Sequence, residues 1–154
     1  MIEVRPTERD DAERLAPNLR QADLDEIKAG SGWNPYLALL VGIDASKECY
    51  TATIDGEPVA IFGVCGDENP SVGRIWLLGS DIIKSHRIDF LRKSIEWVKH
   101  FQELYPVLYN NIDARNHVHI RWLQWLGFTF IQVFPNYGAE QRPFYQFVRM
   151  QSNV

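Results

Sequence analysis

Cysteine is scarce in this chain of 154 residues: Cys49 and Cys65 form no Cys-x-x-Cys pair and have no histidine spaced near them as a metal site requires. A disulfide framework and a zinc module are thereby excluded, no metal is expected, and both thiols read as reduced packing residues. Long apolar runs are also lacking. None approaches the roughly 18 residues of a membrane span, and the opening "MIEVRPTERDD" turns acidic with no apolar core of a leader peptide. The chain is expected to be soluble and cytoplasmic. An excess of basic charge is missing as well, since 16 basic against 20 acidic side chains leave a net charge of -4. No global positive field draws the protein to nucleic acid or anionic lipid, so neither nucleic acid nor membrane is expected as a partner. No repeat or linker interrupts the chain, and 45% hydrophobic residues suit one globular domain over residues 1–154.

The pattern that is present alternates strand and helix signals. "IEVRP" alternates apolar and polar residues and stops at Pro6, and Thr7 offers a cap to an acid-rich helical stretch. Residues 24–41 are broken at "GSGWNP" into two short helices. "YTATI" and "VAIFGV" flank Asp55-Gly56, a strong hairpin signal, and "RIWLLG" reads as a buried central strand. A long amphipathic helix over 86–104 follows, because Ile88, Leu91, Ile95, Val98, Phe101 and Leu104 recur at three- and four-residue spacing until Pro106; Ser85 is its candidate cap. The remainder reads as strand ("VLYNNI"), helix, strand ("FTFIQVF"), a loop through "PNYGAEQRP", and strand ("FYQFVRM").

Between two of these elements lies "NHVHIRWLQWLGF", residues 116–128. Gly127 suits a left-handed helix cap and Phe128 the start of a core strand. The spacing from Asn116 to "LGF", together with the element order, resembles the GNAT acyltransferase superfamily, whose pattern here is Asn-x-x-Ala-x-x-x-Tyr-x-x-Leu-Gly-Phe. The resemblance implies an α/β (α+β) fold: a mixed, mainly antiparallel sheet of six to seven strands flanked by about four helices. It implies acetyl-CoA or CoA as cofactor, bound where the fourth and fifth strands separate. Leu78, Gly79, Lys84, Arg87 and Asn116 are the positions that would hold it.

Two features depart from that family. The phosphate loop Arg/Gln-x-x-Gly-x-Gly/Ala would fall on "GSDIIKSHRIDF"; with Arg87 as the motif's central Arg, Ile88 and Phe90 stand at glycine positions. The Tyr that protonates the leaving thiolate in many members is replaced by Leu123, which also fits an apolar helix face beside Val118, Trp122 and Leu126. His119, one turn before Leu123, is the nearest replacement acid, and Asp81, with Asp113 as another candidate, the base of an active enzyme. Each also has an ordinary reading: Asn116 as a helix cap, Asp81 as a loop residue, His119 as a boundary histidine. Lys84 and Arg87 could equally be solvated at a helix entrance.

The two losses favour a divergent, catalytically degenerate GNAT-like protein acting through protein interactions. Its Trp-rich "RWLQWLGF" and "LLGSD" are similar to the small internal virion and assembly proteins of tailed phages, which would place it in the host cytoplasm or the virion. The alternative is an acyl-CoA-dependent N-acetyltransferase with a non-standard general acid. Tryptophans 33, 76, 97, 122 and 125 read as core or interface anchors, and an exposed subset would mark an unknown protein partner or a homodimer.

Overall fold

The computed structural model describes residues 1–151. Seven strands form one sheet: β1 (Glu3–Pro6), β2 (Ser46–Ile54), β3 (Glu57–Gly66), β4 (Val72–Gly79), β5 (Val107–Asp113), β6 (Thr129–Tyr137) and β7 (Arg142–Met150). Their spatial order is β1-β2-β3-β4-β5-β7-β6. Every neighbouring pair is antiparallel except β4 and β5, which run parallel. Five helices flank the sheet, one more than expected: α1 (Asp10–Leu15), α2 (Gln21–Gly30), α3 (Pro35–Ala45), α4 (Arg87–Leu104) and α5 (His117–Trp125).

Local chemistry explains most of these boundaries. Asp55 and Gly56 both adopt positive φ, 51° and 80°, which gives the β2–β3 hairpin a turn matching the twist of its strands. Asn34 caps α3 by accepting from the Leu37 N–H at 2.8 Å. Gly127, at φ 92°, ends α5: its N–H reaches the Gln124 carbonyl and the Phe128 N–H the Leu123 carbonyl, both at 3.0 Å.

Two expected caps are not used. Thr7 bonds the Thr51 hydroxyl instead, and the start of α1 is served by Asp11, whose carboxylate accepts from the Glu8 N–H. Ser85 does not cap α4. A 3₁₀ turn over Asp81–His86, capped by Ser80, fills that stretch, so the helix begins at Arg87 and His86 lies before it. The expected loop after β6 is also shorter, because that strand extends to Tyr137.

The sheet separates two apolar layers. On one face α4 and α5 pack Val98, Phe101, Leu123 and Leu126 over Phe62, Leu108 and Phe147. On the other, α1 and α3 bring Ala12, Leu15 and Leu39 to Ile61. Leu123 is 2% exposed, as its helix face requires, whereas Val118 is 64% exposed and lies off that face. The β6–β7 turn reaches back to α2, where Ala139 and Glu140 donate N–H groups to the Gly30 and Ala29 carbonyls. That contact fastens the helix whose side chains face the gap in the sheet. Among the described residues, no helix is long and apolar enough to cross a membrane.

Candidate functional site

Parallel pairing of β4 with β5 covers only Val72–Arg74 against Val107–Tyr109, after which the strands part. A cavity of about 280 Å³ occupies the gap and opens toward both helical layers. Ile75 and Leu77 line it with Phe90 and Trp122 on the α4–α5 side, and Trp76 and Leu78 with Val41 on the α3 side.

An extended ligand entering such a gap gains affinity by bonding the free strand edge. Here much of that edge is already bonded. The Asn110 side-chain amide donates to the Ile75 carbonyl at 2.6 Å, where a backbone ladder would have continued. At the end of β4 the Gly79 N–H donates to the Asp23 carboxylate, and the Gly79 carbonyl accepts from the Arg20 N–H, each at 2.9 Å. Asp23 is held in turn by the Arg20 guanidinium at 3.0 Å. Burial pushes the Asp23 carboxyl up, against the pull of Arg20 and the Gly79 N–H. Leu78 therefore lies in the cavity wall, while the polar groups of Gly79 are satisfied from within the chain.

The α4 entrance forms no left-handed backbone nest. No residue from 80 to 90 adopts positive φ. Lys84 is exposed and pairs with Asp81 at 3.3 Å, also exposed and away from the cavity; Arg87 is exposed as well. Ile88 is 69% exposed. Phe90 stacks on Trp122 with ring centroids 5.5 Å apart, and Trp122 meets His119 at 4.7 Å. This aromatic row joins α4 to α5.

Asn116 caps α5, accepting from the His119 N–H at 3.4 Å, and its buried Nδ2 has no partner. His119 lines the cavity with Leu123. Loss of hydration, helped by the Arg20 charge, lowers its imidazole to about 3, so the ring is neutral at physiological pH. A neutral ring is a poor proton donor to a thiolate. Asp113 is buried, which would raise its carboxyl, yet Arg115 at 2.6 Å holds it below the usual range.

The sequence reading missed Glu26. It lines the cavity from α2 and accepts the Asp113 N–H at 2.9 Å; desolvation pushes its carboxyl up to about 8. Its three-residue spacing from Asp23, which sets both acids on one face of α2, was the available signal. Glu8, Asp10 and Asp11 bring carboxylate oxygens within 4.8 Å of one another. That group is a helix start, since Asp11 is taken up by Arg5, the Glu8 N–H and Thr51.

The strand order and the parted β4 and β5 define the GNAT acetyltransferase fold. Ard1 from Thermoplasma volcanium superposes with a TM-score of 0.76 at 15% identity, covering 99% of each chain. The ribosomal-protein-S18-alanine N-acetyltransferase from Escherichia coli gives 0.68 at 12%, over 100% of this chain and 99% of that one. Aminoglycoside acetyltransferase AAC(6')-Ib, solved in complex with coenzyme A, gives 0.66 at 14%, over 98% and 95%. At these identities the likeness is one of fold alone. Sequence places the chain more narrowly, because residues 48–135 match the family described as "Bacteriophage T7, probable scaffold protein Gp13". The "Probable scaffold protein gp13" of Escherichia phage T7 is 32% identical over 146 residues, covering 92% of this chain and 94% of its own. The chain belongs to this family of GNAT-fold phage proteins.

Proposed function

We propose that this protein is a phage assembly factor that keeps the GNAT fold as a rigid body for protein contacts and no longer transfers acyl groups. The observation that carries the reading is the bonded strand edge: Asn110, Asp23 and Arg20 take up polar groups of β4 that face the gap, and the Phe90–Trp122 stack joins α4 to α5. The kinship with a phage scaffold protein supports the assembly role, in the host cytoplasm or the virion. The surface supports it too. Trp33 is 46% and Trp125 54% exposed, and Ile131 and Val133 are exposed on β6, a strand with no charged residue at the edge of the sheet. Exposed aromatics and apolar side chains on an edge strand, whose backbone Pro135 and two register shifts interrupt, mark a contact made through side chains. The contact joins either another phage protein or a second copy, and the whole chain acts as a single domain.

The alternative, an acyl-CoA-dependent N-acetyltransferase, draws its support from the cavity crossing the sheet and from Glu26, which titrates where a general base works best. Titration calorimetry with acetyl-CoA separates the two readings. No heat of binding is expected up to about 100-fold the micromolar range typical of substrates. A micromolar dissociation constant overturns the degenerate reading. In that event His119→Gln should lower turnover about a hundredfold if His119 serves as acid.

A further inference from the structure

Strand β6 has a neighbour on one side only, so its outer edge and the face beside it are open. Register fixes which side chains that face carries. Phe130 stands opposite Phe147 and Val133 opposite Tyr145, and both partners belong to the apolar layer under α4 and α5. Phe130 and Val133 therefore share the α5 side, while the register shift between Phe130 and Gln132 leaves Ile131 without a partner across the ladder. With Ile120 and Gln124 of α5 and Tyr145 of β7, these three line a groove of about 460 Å³. The groove shares no wall residue with the gap between β4 and β5.

Charge is missing from this face. Residues 122–139 are the longest stretch of the chain without a basic, acidic or histidine side chain, and the charges that bracket it, Arg121 and Glu140, are exposed. Neutrality narrows the choice of occupant. A two-fold contact lays one patch against itself, so a charge near its centre would meet the same charge, and each copy already carries a net charge of -4. A different protein is under no such restriction and would be steered and held in register by charges, which this face does not offer. Shape agrees with the charge argument. A self-contact needs a projection and a hollow on one surface, since each copy gives what it receives. Trp125, next to Gln124 on α5, is 54% exposed, and Ile131 is 58% exposed at the groove.

We propose that the face formed by α5 and β6 binds a second copy of the chain about a two-fold axis, with Trp125 of each protomer seated in the groove at Phe130, Ile131 and Val133 of its partner. Pro135 and the two register shifts interrupt the outer ladder, so the contact runs through side chains rather than through a continued sheet. The inference rests on the reading of the fold as a body for protein contacts and names the partner of this surface.

Sedimentation equilibrium of the whole protein tests it, from about 1 to about 200 micromolar, the range in which a modest interface associates. A monomer–dimer equilibrium is expected, and it should not weaken between about 50 and about 500 mM salt, since no ion pair holds it. Trp125→Ser removes the projection and Val133→Lys sets a cation in the groove. Each should raise the dimer dissociation constant at least about tenfold, the effect of losing one anchor, with an unchanged circular dichroism spectrum. Either variant suffices if the other fails to fold. Ile82→Lys, at an exposed apolar position in the turn before α4, should leave the constant unchanged. A chain that stays monomeric throughout, a dimer that salt dissolves, a dimer indifferent to both groove variants, or an equal loss with Ile82→Lys overturns the proposal. A monomer that binds no acetyl-CoA refutes this inference and leaves the loss of acyl transfer standing, whereas micromolar binding of acetyl-CoA by a dimer refutes only the latter.

Discussion

Glu26 ties the stability of the fold to pH with a sign that can be worked out. In the unfolded chain its carboxyl ionises near 4.5; in the folded chain desolvation raises it to about 8. The folded protein therefore holds a proton that the unfolded one releases, and the stabilisation, full below 4.5, is lost as pH rises toward 8. At pH 7 the unfolded carboxyl lies about 2.5 units past its midpoint, worth roughly 3 kcal/mol at about 1.36 kcal/mol per unit. That figure is a ceiling, since water in the open gap returns part of the hydration. Glu26→Gln keeps the acceptor for the Asp113 N–H and removes the ionisation. It should stabilise the protein by about 1.5–3 kcal/mol at pH 7.5 and by less than about 0.5 kcal/mol at pH 4.5. His119 acts oppositely. Its imidazole is lowered from 6.5 to about 3, so its contribution is present above 6.5 and lost as pH falls toward 3. The wild-type profile thus flattens between about 4.5 and 6.5, and only the difference between wild type and variant isolates Glu26. Urea unfolding of both proteins at pH 4.5, 6 and 7.5 measures that difference. A constant difference at all three values, or a variant less stable at 7.5, refutes the burial of Glu26 described above.

Leu123→Ala should cost about 2–5 kcal/mol, because the side chain lies fully inside the α4–α5 core, and denaturant midpoints check it. Gly127→Ala should cost about 1 kcal/mol or more, since its φ of 92° is strained for any side chain; a gain in stability would contradict that backbone reading. Trp125→Ser should leave stability within about 0.5 kcal/mol while weakening co-purification with phage proteins, as an exposed anchor at the proposed protein contact would. Normal capture by partners after this change would remove the α5 surface from the proposed interface.

The sheet and its helices were readable because each rests on a local rule. Asp55-Gly56 needs no tertiary partner to favour a tight hairpin, and the spacing from Ile88 to Leu104 is the period of one helix face. The departures occurred where a competitor lay far along the chain. Thr7 was drawn from capping by Thr51, forty-four positions away, and Ser85 lost its place to a 3₁₀ turn begun by Ser80. The site was harder to read than the fold for the same reason. Asn116, Leu123 and Gly127 were visible as a spaced motif, and the bulky Ile88 and Phe90 as a departure from one.

By itself, then, the chain's order of residues determined the strand and helix periods, the Gly127 cap and the apolar face of α5 that carries Leu123, each a matter of neighbours within a few positions. Tertiary structure alone decided that Asp23, from α2, would bond Gly79 across 56 positions, and that Glu26 would bond Asp113 across 87. It also decided that Phe90 would stack on Trp122. Burial, charge pairing and the bonding of a strand edge depend on which distant groups meet, and a carboxylate's proton affinity follows from those meetings rather than from its place in the sequence.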